Sequence, residues 1–373
     1  MKILFASDLS FNYFPALPPS EQTAATMAET AKLFGAADFS IINLENIFGD
    51  PEAYAPIEKS GPNLISDEGF CAYLDALNPT VVGLANNHAG DYGAGALLYT
   101  KDLLEQKGYT VIGAGKSVEE AYRPALLEQG EEQVAVIAVC ENEFGCADGD
   151  SAGSAGYHLT RVTRAIRDAR KVGARPVIYF HGGNEHNPFP SPGKVALYRH
   201  FIDLGAAAVI AMHTHCPQGY EWYEGCPIVY SMGNFFFPSE GERPTWGQGY
   251  MALWDTVENT LEPLPYTFDF DHHTPMSGAE KEQFLQYLSA LNAPIHRPAE
   301  LQAYFDGWCM IAGRNKYLKN LTDGVINARM KNALSCEAHN ELLTNTLKIL
   351  FEGREAEAER RIPEIEKLQK GET

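Results

Sequence analysis

From Met1 to about Asp271, short runs of aliphatic and β-branched residues alternate with longer amphipathic stretches, the pattern of an α/β protein. Candidate strands are Ile3 to Ser7, Phe39 to Asn43, Thr80 to Leu84, Thr110 to Gly113, Gln133 to Cys140, Pro176 to Phe180, Ala207 to Met212 and Pro227 to Ser231. Several are continuous apolar runs, as expected of strands covered on both faces. Between them, Gly69 to Leu77, Ala94 to Lys107, Thr160 to Lys171 and Val195 to Leu204 carry helical periodicity. Met251 to Phe268 reads as further strands, and the polar stretch Asp269-Phe270-Asp271-His272-His273-Thr274-Pro275 breaks the pattern. Beyond it, Ala279 to Leu291, Glu300 to Ala312 and Cys336 to Lys367 are dominated by helix formers. The expected organisation is therefore an α/β domain over residues 1–271 followed by a helical C-terminal subdomain over 272–373.

In open α/β sheets ligands gather beyond the carboxyl ends of the strands, so polar residues just after a strand are the first candidates for a site. Asp8 follows the first run, Asn43-Leu44-Glu45 the second, Asn86-Asn87-His88 the third, His181 the run ending at Phe180, and His213-Thr214-His215 the run ending at Met212. Singly, each has an ordinary explanation. Asp8 could cap a turn, Glu45 could be a solvated loop charge, the asparagines could supply turn geometry, and His181 could be a satisfied buried imidazole. His213 and His215 lie two apart on an extended segment and point to one side, which favours metal. Together, five strand ends with O or N donors fit chance packing poorly. Imidazole, carboxylate and amide oxygen in combination suit Mn, Fe or Zn, as one ion or two.

The formal net charge of -20 gives the chain a field that repels nucleic acid, anionic membranes and long polyanions. The expected partner is a small molecule or a short anionic substrate, with no nucleic acid and no membrane; the sequence sets no oligomeric state. Seven cysteines without a CxxC pair point to reduced thiols and a cytoplasmic setting. The N-terminal residues read as a first strand rather than a secretory signal.

The motifs Asn43-Leu44-Glu45, Leu84-Ala85-Asn86-Asn87-His88 with Asp91-Tyr92-Gly93, His181-Gly182-Gly183-Asn184-Glu185, Gly205-Ala206, His213-Thr214-His215 and Tyr230-Ser231-Met232-Gly233-Asn234-Phe235 resemble the CapA family. These are the poly-γ-glutamate capsule-biosynthesis proteins, a branch of the calcineurin-like metallophosphatase superfamily. The resemblance covers about the first 240 residues and implies a four-layer α/β/β/α sandwich. It further implies that Glu45 stands where the superfamily has a metal-bridging aspartate, that Asn87, His181 and His213 complete one metal site, and that Asp8 and His215 belong to the other. Ser10 stands where the superfamily usually has a histidine, which weakens that second site. His88 is implied as a nearby general acid, and Glu185 as a residue orienting His181 or acting as a second base.

The expected substrate contacts are Lys59 and Ser60, in the loop after Glu45, with Asn86 and Asn234 from the motifs; Asp91 and Tyr92 read as structural. The implied function is metal-dependent hydrolysis of a phosphoester or a γ-glutamyl amide by an activated water. A non-catalytic component of capsule polymer synthesis is the alternative. A nucleic-acid phosphodiesterase is disfavoured by the charge.

Overall fold

The computed structural model describes residues 1–241, 243–322 and 326–373. Strict alternation along the first strand, Lys2–Leu9, decides the architecture. Ile3 and Phe5 join one apolar core while Leu4 and Ala6 join another, because successive side chains leave opposite faces of a sheet. The eight-stranded first sheet runs His273–Pro275, Thr260–Phe268, Gln248–Asp255, Lys2–Leu9, Phe39–Leu44, Val81–Gly83, Thr110–Ile112, with Asn234–Phe236 also paired to the first strand. The six-stranded second sheet runs Tyr220–Tyr223, Cys226–Val229, Ala208–Met212, Arg175–His181, Glu132–Cys140, Ala125–Gln129.

The sheets face each other through Ile3, Phe5, Ile41 and Val81 on one side and Val177 and Tyr179 on the other. The Tyr179 hydroxyl crosses the interface to donate to the carbonyl of Ala6 at 2.5 Å. Outside the first sheet, the helices Ser20–Ala36, Cys71–Leu77 and Gly93–Gln106 cover Leu4, Ile42 and Val82. Outside the second, Leu159–Lys171 and Pro192–Asp203 do the same, with Tyr198 and Phe201 against Phe180. The result is the expected four-layer α/β/β/α sandwich.

The C-terminal helices are present, beginning with Gly278–Asn292 and Pro298–Trp308, then a wide-turned π-helical segment Cys309–Leu318, then Glu337–Glu352. Two features cross residue 271. The strand His273–Pro275 pairs with Thr260–Phe268, and Phe284, Leu288, Leu301 and Phe305 belong to the same apolar cluster as the second sheet. The long helical stretch expected from Cys336 to Lys367 is broken at Gly353, whose positive φ of 67° caps the first helix.

The helix Ser20–Ala36 carries no strong periodic signal, because its buried face holds Thr23, Thr26 and Thr30 beside Met27 and Phe34. Those hydroxyls are used. Thr26 donates to the carbonyl of Asp271 and Thr30 to Nδ1 of His273. Nε2 of His273 in turn donates to the carbonyl of Phe235 at 3.0 Å, so the neutral imidazole is satisfied on both sides, and burial holds its pKa down to about 3. Because the folded value lies below the ordinary one of about 6.5, the stabilisation is complete above that pH and drains away as pH falls from there toward 3. Stability measured by urea unfolding between pH 7 and 4 should therefore fall more gently in His273→Gln than in the wild type, by up to about 1.4 kcal/mol per pH unit. Parallel slopes in the two proteins would contradict this.

Candidate metal centre

Parallel strands of both sheets end at one edge, and four of them deliver a candidate donor there. Asp8 sits at an irregularity in the pairing of the first strand with Phe39–Leu44 and Asn234–Phe236, the kind of local kink that re-aims a side chain at the end of a strand. Glu45 directly follows Phe39–Leu44, His181 ends Arg175–His181, and His213 directly follows Ala208–Met212. The loop with Asn87 and His88 is brought in by a close approach of two glycines. A Cβ on Gly90 would lie 2.4 Å from the Cα of Gly145, so only glycine lets this loop rest against residues 141–156.

Glu45, His181 and His213 bring one ligand atom each within 4.8 Å of one another, and so do Asp8, Glu45 and His215. Glu45 is common to both sets. Its two carboxylate oxygens, Nε2 of His181, both ring nitrogens of His213 and Oδ1 of Asn87 are buried without a hydrogen-bond partner among the described residues. Buried polar atoms are normally paired, so the orphaned atoms of Glu45, His181 and His213, one from each within 4.8 Å of the others, fit a divalent cation. Nε2 of His181 lies 3.3 Å from Glu45 and 3.5 Å from Asp8.

The supporting contacts fix orientation. Asp8 accepts from the Asn43 amide at 2.7 Å and from the backbone N–H of His213 at 3.0 Å. Nδ1 of His215 donates to Oδ1 of Asn234 at 2.8 Å, which leaves Nε2 turned toward Glu45, 4.0 Å away, in the tautomer a ligand needs. His213 and His215 have positive φ values of 102° and 55°, backbone strain of the kind that collects at functional sites.

The electrostatics are those of a site awaiting positive charge. Burial, with Glu45 nearby, pushes Asp8 up to about 6, and burial likewise raises Glu45. His181 and His213 are pushed down by burial, leaving neutral imidazoles. For His215 burial acts downward but Glu45 and Glu185 outweigh it, so its pKa rises. Burial also opposes ionisation of Glu185, yet His213, His215 and His186 pull it well below the usual carboxylate range.

Other expected residues fall into two groups. Lys59, Ser60, His88 and Glu185 line a cavity of about 640 Å³ beside the centre. Asn86 and Asn234 do not. Both are fully buried, the first bonded to Asn43 and the Leu44 carbonyl and the second to His215, so these polar atoms are engaged in holding neighbouring residues of the site. Glu185 lines the cavity, and Nε2 of His181 has no hydrogen-bond partner among the described residues. Lys59 is anchored: its ammonium meets Asp91 at 2.6 Å, and Asp91 also takes Nδ1 of His88 at 2.6 Å and the N–H of Leu64. Ser10 is buried with a hydroxyl that finds no partner among the described residues.

The far wall of the cavity was not legible in the sequence. It comes from the C-terminal helices, with Asn315, Lys316, Tyr317, Lys319, Arg329 and His339. They are seated by Glu141, whose carboxylate accepts from the N–H groups of Gly183 and Ala338 and pairs with Lys194.

Fold and site together define a four-layer α/β/β/α sandwich with two overlapping candidate donor sets for divalent cations at one sheet edge. The chain belongs to the PGA_cap family: residues 12–239 match the family described as bacterial capsule synthesis protein PGA_cap. It is 28% identical over 214 residues to the PGA biosynthesis protein CapA of Bacillus subtilis, covering 55% of this chain and 54% of that protein. It is 29% identical over 165 residues to the capsule biosynthesis protein CapA of Bacillus anthracis, covering 42% and 40%. A probable polyglutamine synthesis accessory protein of Mycobacterium tuberculosis is 28% identical over 219 residues, covering 55% and 57%. The match thus spans about half the length of these curated relatives. A solved structure described as a novel phosphatase of Mycoplasma pneumoniae aligns with 72% of this chain and 94% of its own at 12% identity, with a TM-score of 0.46.

Titration with Mn, Fe or Zn should show two unequal affinities, the tighter at Glu45, Asn87, His181 and His213, because Ser10 offers no imidazole to the other. Glu45→Ala should lose both ions and His215→Ala only the weaker. Two equally tight ions would overturn this order. Acidification from pH 7 to 5 should weaken binding, since protons compete for Asp8 and Glu45; affinity independent of pH across that window would exclude the two carboxylates as ligands.

Proposed function

We propose that this protein is a metal-dependent hydrolase that uses an activated water to cleave a phosphoester or γ-glutamyl amide in a small or short anionic substrate. The observation that carries the reading is Glu45, a buried carboxylate shared by two donor sets, whose own oxygens, with His181 Nε2 and the ring nitrogens of His213, are unpartnered among the described residues. Mn, Fe or Zn suits the mixed imidazole, carboxylate and amide donors. A divalent cation held there would supply Lewis-acid polarisation of the scissile group and lower the pKa of water.

The chain's own residues supply the rest. Asp91 accepts the Nδ1–H of His88, which fixes the ring, and in its imidazolium form His88 would give the Nε2 proton to the leaving group and return to the neutral Nδ1–H ring. Lys316 and Arg329 face the cavity from the C-terminal wall and would hold a negative group of the substrate, while the net charge of -20 works against long polyanions. Seven unpaired cysteines suit a reducing, cytoplasmic setting. The second reading, a non-catalytic binding component of capsule polymer synthesis, draws on Ser10 in place of an imidazole and on the word "accessory" in the name of the mycobacterial relative.

Metal-loaded protein should be assayed against phosphomonoesters, phosphodiesters and γ-glutamyl peptides. His88→Ala should keep its metal and lose roughly a hundredfold or more in kcat, the scale of a lost proton donor. Lys316→Ala and Arg329→Ala should raise KM more than they lower kcat. Loaded protein that binds such substrates yet hydrolyses none would favour the non-catalytic reading.

A further inference from the structure

Outside the Glu45 centre, a second group of metal-capable side chains lies at the wall of the cavity, two of them lining it. Glu143, Cys336 and His339 bring a carboxylate oxygen, a thiol sulfur and a ring nitrogen within 4.8 Å of one another. Two come from the C-terminal helical region. Cys336 is the N-cap of the helix Glu337–Glu352 and His339 lies on its first turn, so the spacing Cys-x-x-His sets both side chains on one face. Glu143 comes from the loop after the strand Glu132–Cys140.

Three observations separate this group from ordinary packing. His339 is 5% exposed, and its Nδ1 is buried without a hydrogen-bond partner among the described residues. Glu143 is oriented by Asn332, whose amide donates to it at 3.0 Å, as an outer partner orients a ligating carboxylate. Glu143 and His339 both line the cavity, so a fourth position would open to it. The Cys336 thiol donates to Glu141 at 3.7 Å, a carboxylate that Lys194 and the N–H of Ala338 also answer and that keeps those partners when the thiol proton is lost.

We propose that Glu143, Cys336 and His339 form a separate zinc site that ties the C-terminal helices to the α/β sandwich and opens onto the cavity. Sulfur, nitrogen and oxygen donors together favour zinc over manganese, magnesium or calcium, and three protein ligands with one open position are common for it. The thiol proton passes to solvent as the cation takes its place. Nε2 of His213 lies 3.7 Å from Glu143, so the two centres adjoin at that carboxylate. The site does not depend on the hydrolase reading.

The test uses the full chain and cobalt as a spectroscopic substitute for zinc. Neither donor set at Glu45 contains sulfur, so a thiolate-to-cobalt charge-transfer band in the near ultraviolet reports only a cysteine ligand. Saturating cobalt should produce the band. Cys336→Ser should abolish it while Cys146→Ser keeps it, with circular dichroism confirming that both variants are folded. His339→Gln should weaken the cobalt affinity read from the band by roughly tenfold or more. A missing band in the wild type, a band that survives Cys336→Ser, or an affinity untouched by His339→Gln would each overturn the site. Loss of hydrolysis with the band intact would count against the proposed function alone.

Discussion

Two carboxylates without bulk water, Asp8 and Glu45, set the conditions for this whole structure. Both are fully buried at the edge where the sheets meet, and burial raises the pKa of each. Ionised carboxylates in such a place cost several kcal/mol each unless positive charge or hydrogen bonds compensate. Asp8 has some of that compensation from Asn43 and the His213 backbone, whereas Glu45 has no hydrogen bond among the described residues and only the charges of His215, His88 and Lys59 to set against its burial. The surrounding imidazoles, His181 and His213, are themselves held neutral. The arrangement is poor as a core and reasonable as a cation cradle. The apolar face-to-face packing of the sheets, through Phe5, Tyr179 and their neighbours, is what can bear such a cost.

The second organising interaction is Glu141. By joining Gly183, Lys194 and Ala338 it connects the motif after His181, the helix outside the second sheet and the N-terminus of the helix Glu337–Glu352. The C-terminal helices therefore stand over the metal edge as a wall of the cavity. That wall brings Lys316 and Arg329 to a protein whose net charge is strongly negative. Local basic residues inside an acidic surface are the complement the proposed short anionic substrate requires.

Membership of the PGA_cap family rests on the matched residues 12–239, which include Glu45, Asn87, His181, His213 and His215 but begin after Asp8 and stop before the C-terminal helices. Among the described residues no helix is long and apolar enough to cross a membrane. The part of the site that could distinguish this chain from others with the same donors is thus the helical wall, where Cys336 and His339 also lie.

The strands and their donors were legible in the sequence because a strand buried on both faces must be continuously apolar, so the polar residue that ends it stands out. Asp8, Glu45, His181 and His213 are all of that kind. The helix Ser20–Ala36 was not, since threonines fill its buried face and gain their worth from partners at Asp271 and His273 far along the chain. Asn86 and Asn234 show the same limit: their residue type suits a substrate contact, and only the packing shows their polar atoms spent on Leu44 and His215. Sequence by itself determined which side chains reach the sheet edge, because strand periodicity is local. Tertiary structure alone decided that Glu45 is shared by two donor sets, that Asp91 holds His88 and Lys59, and that a distant helix closes the cavity, because each of these depends on contacts between segments that the sequence keeps far apart.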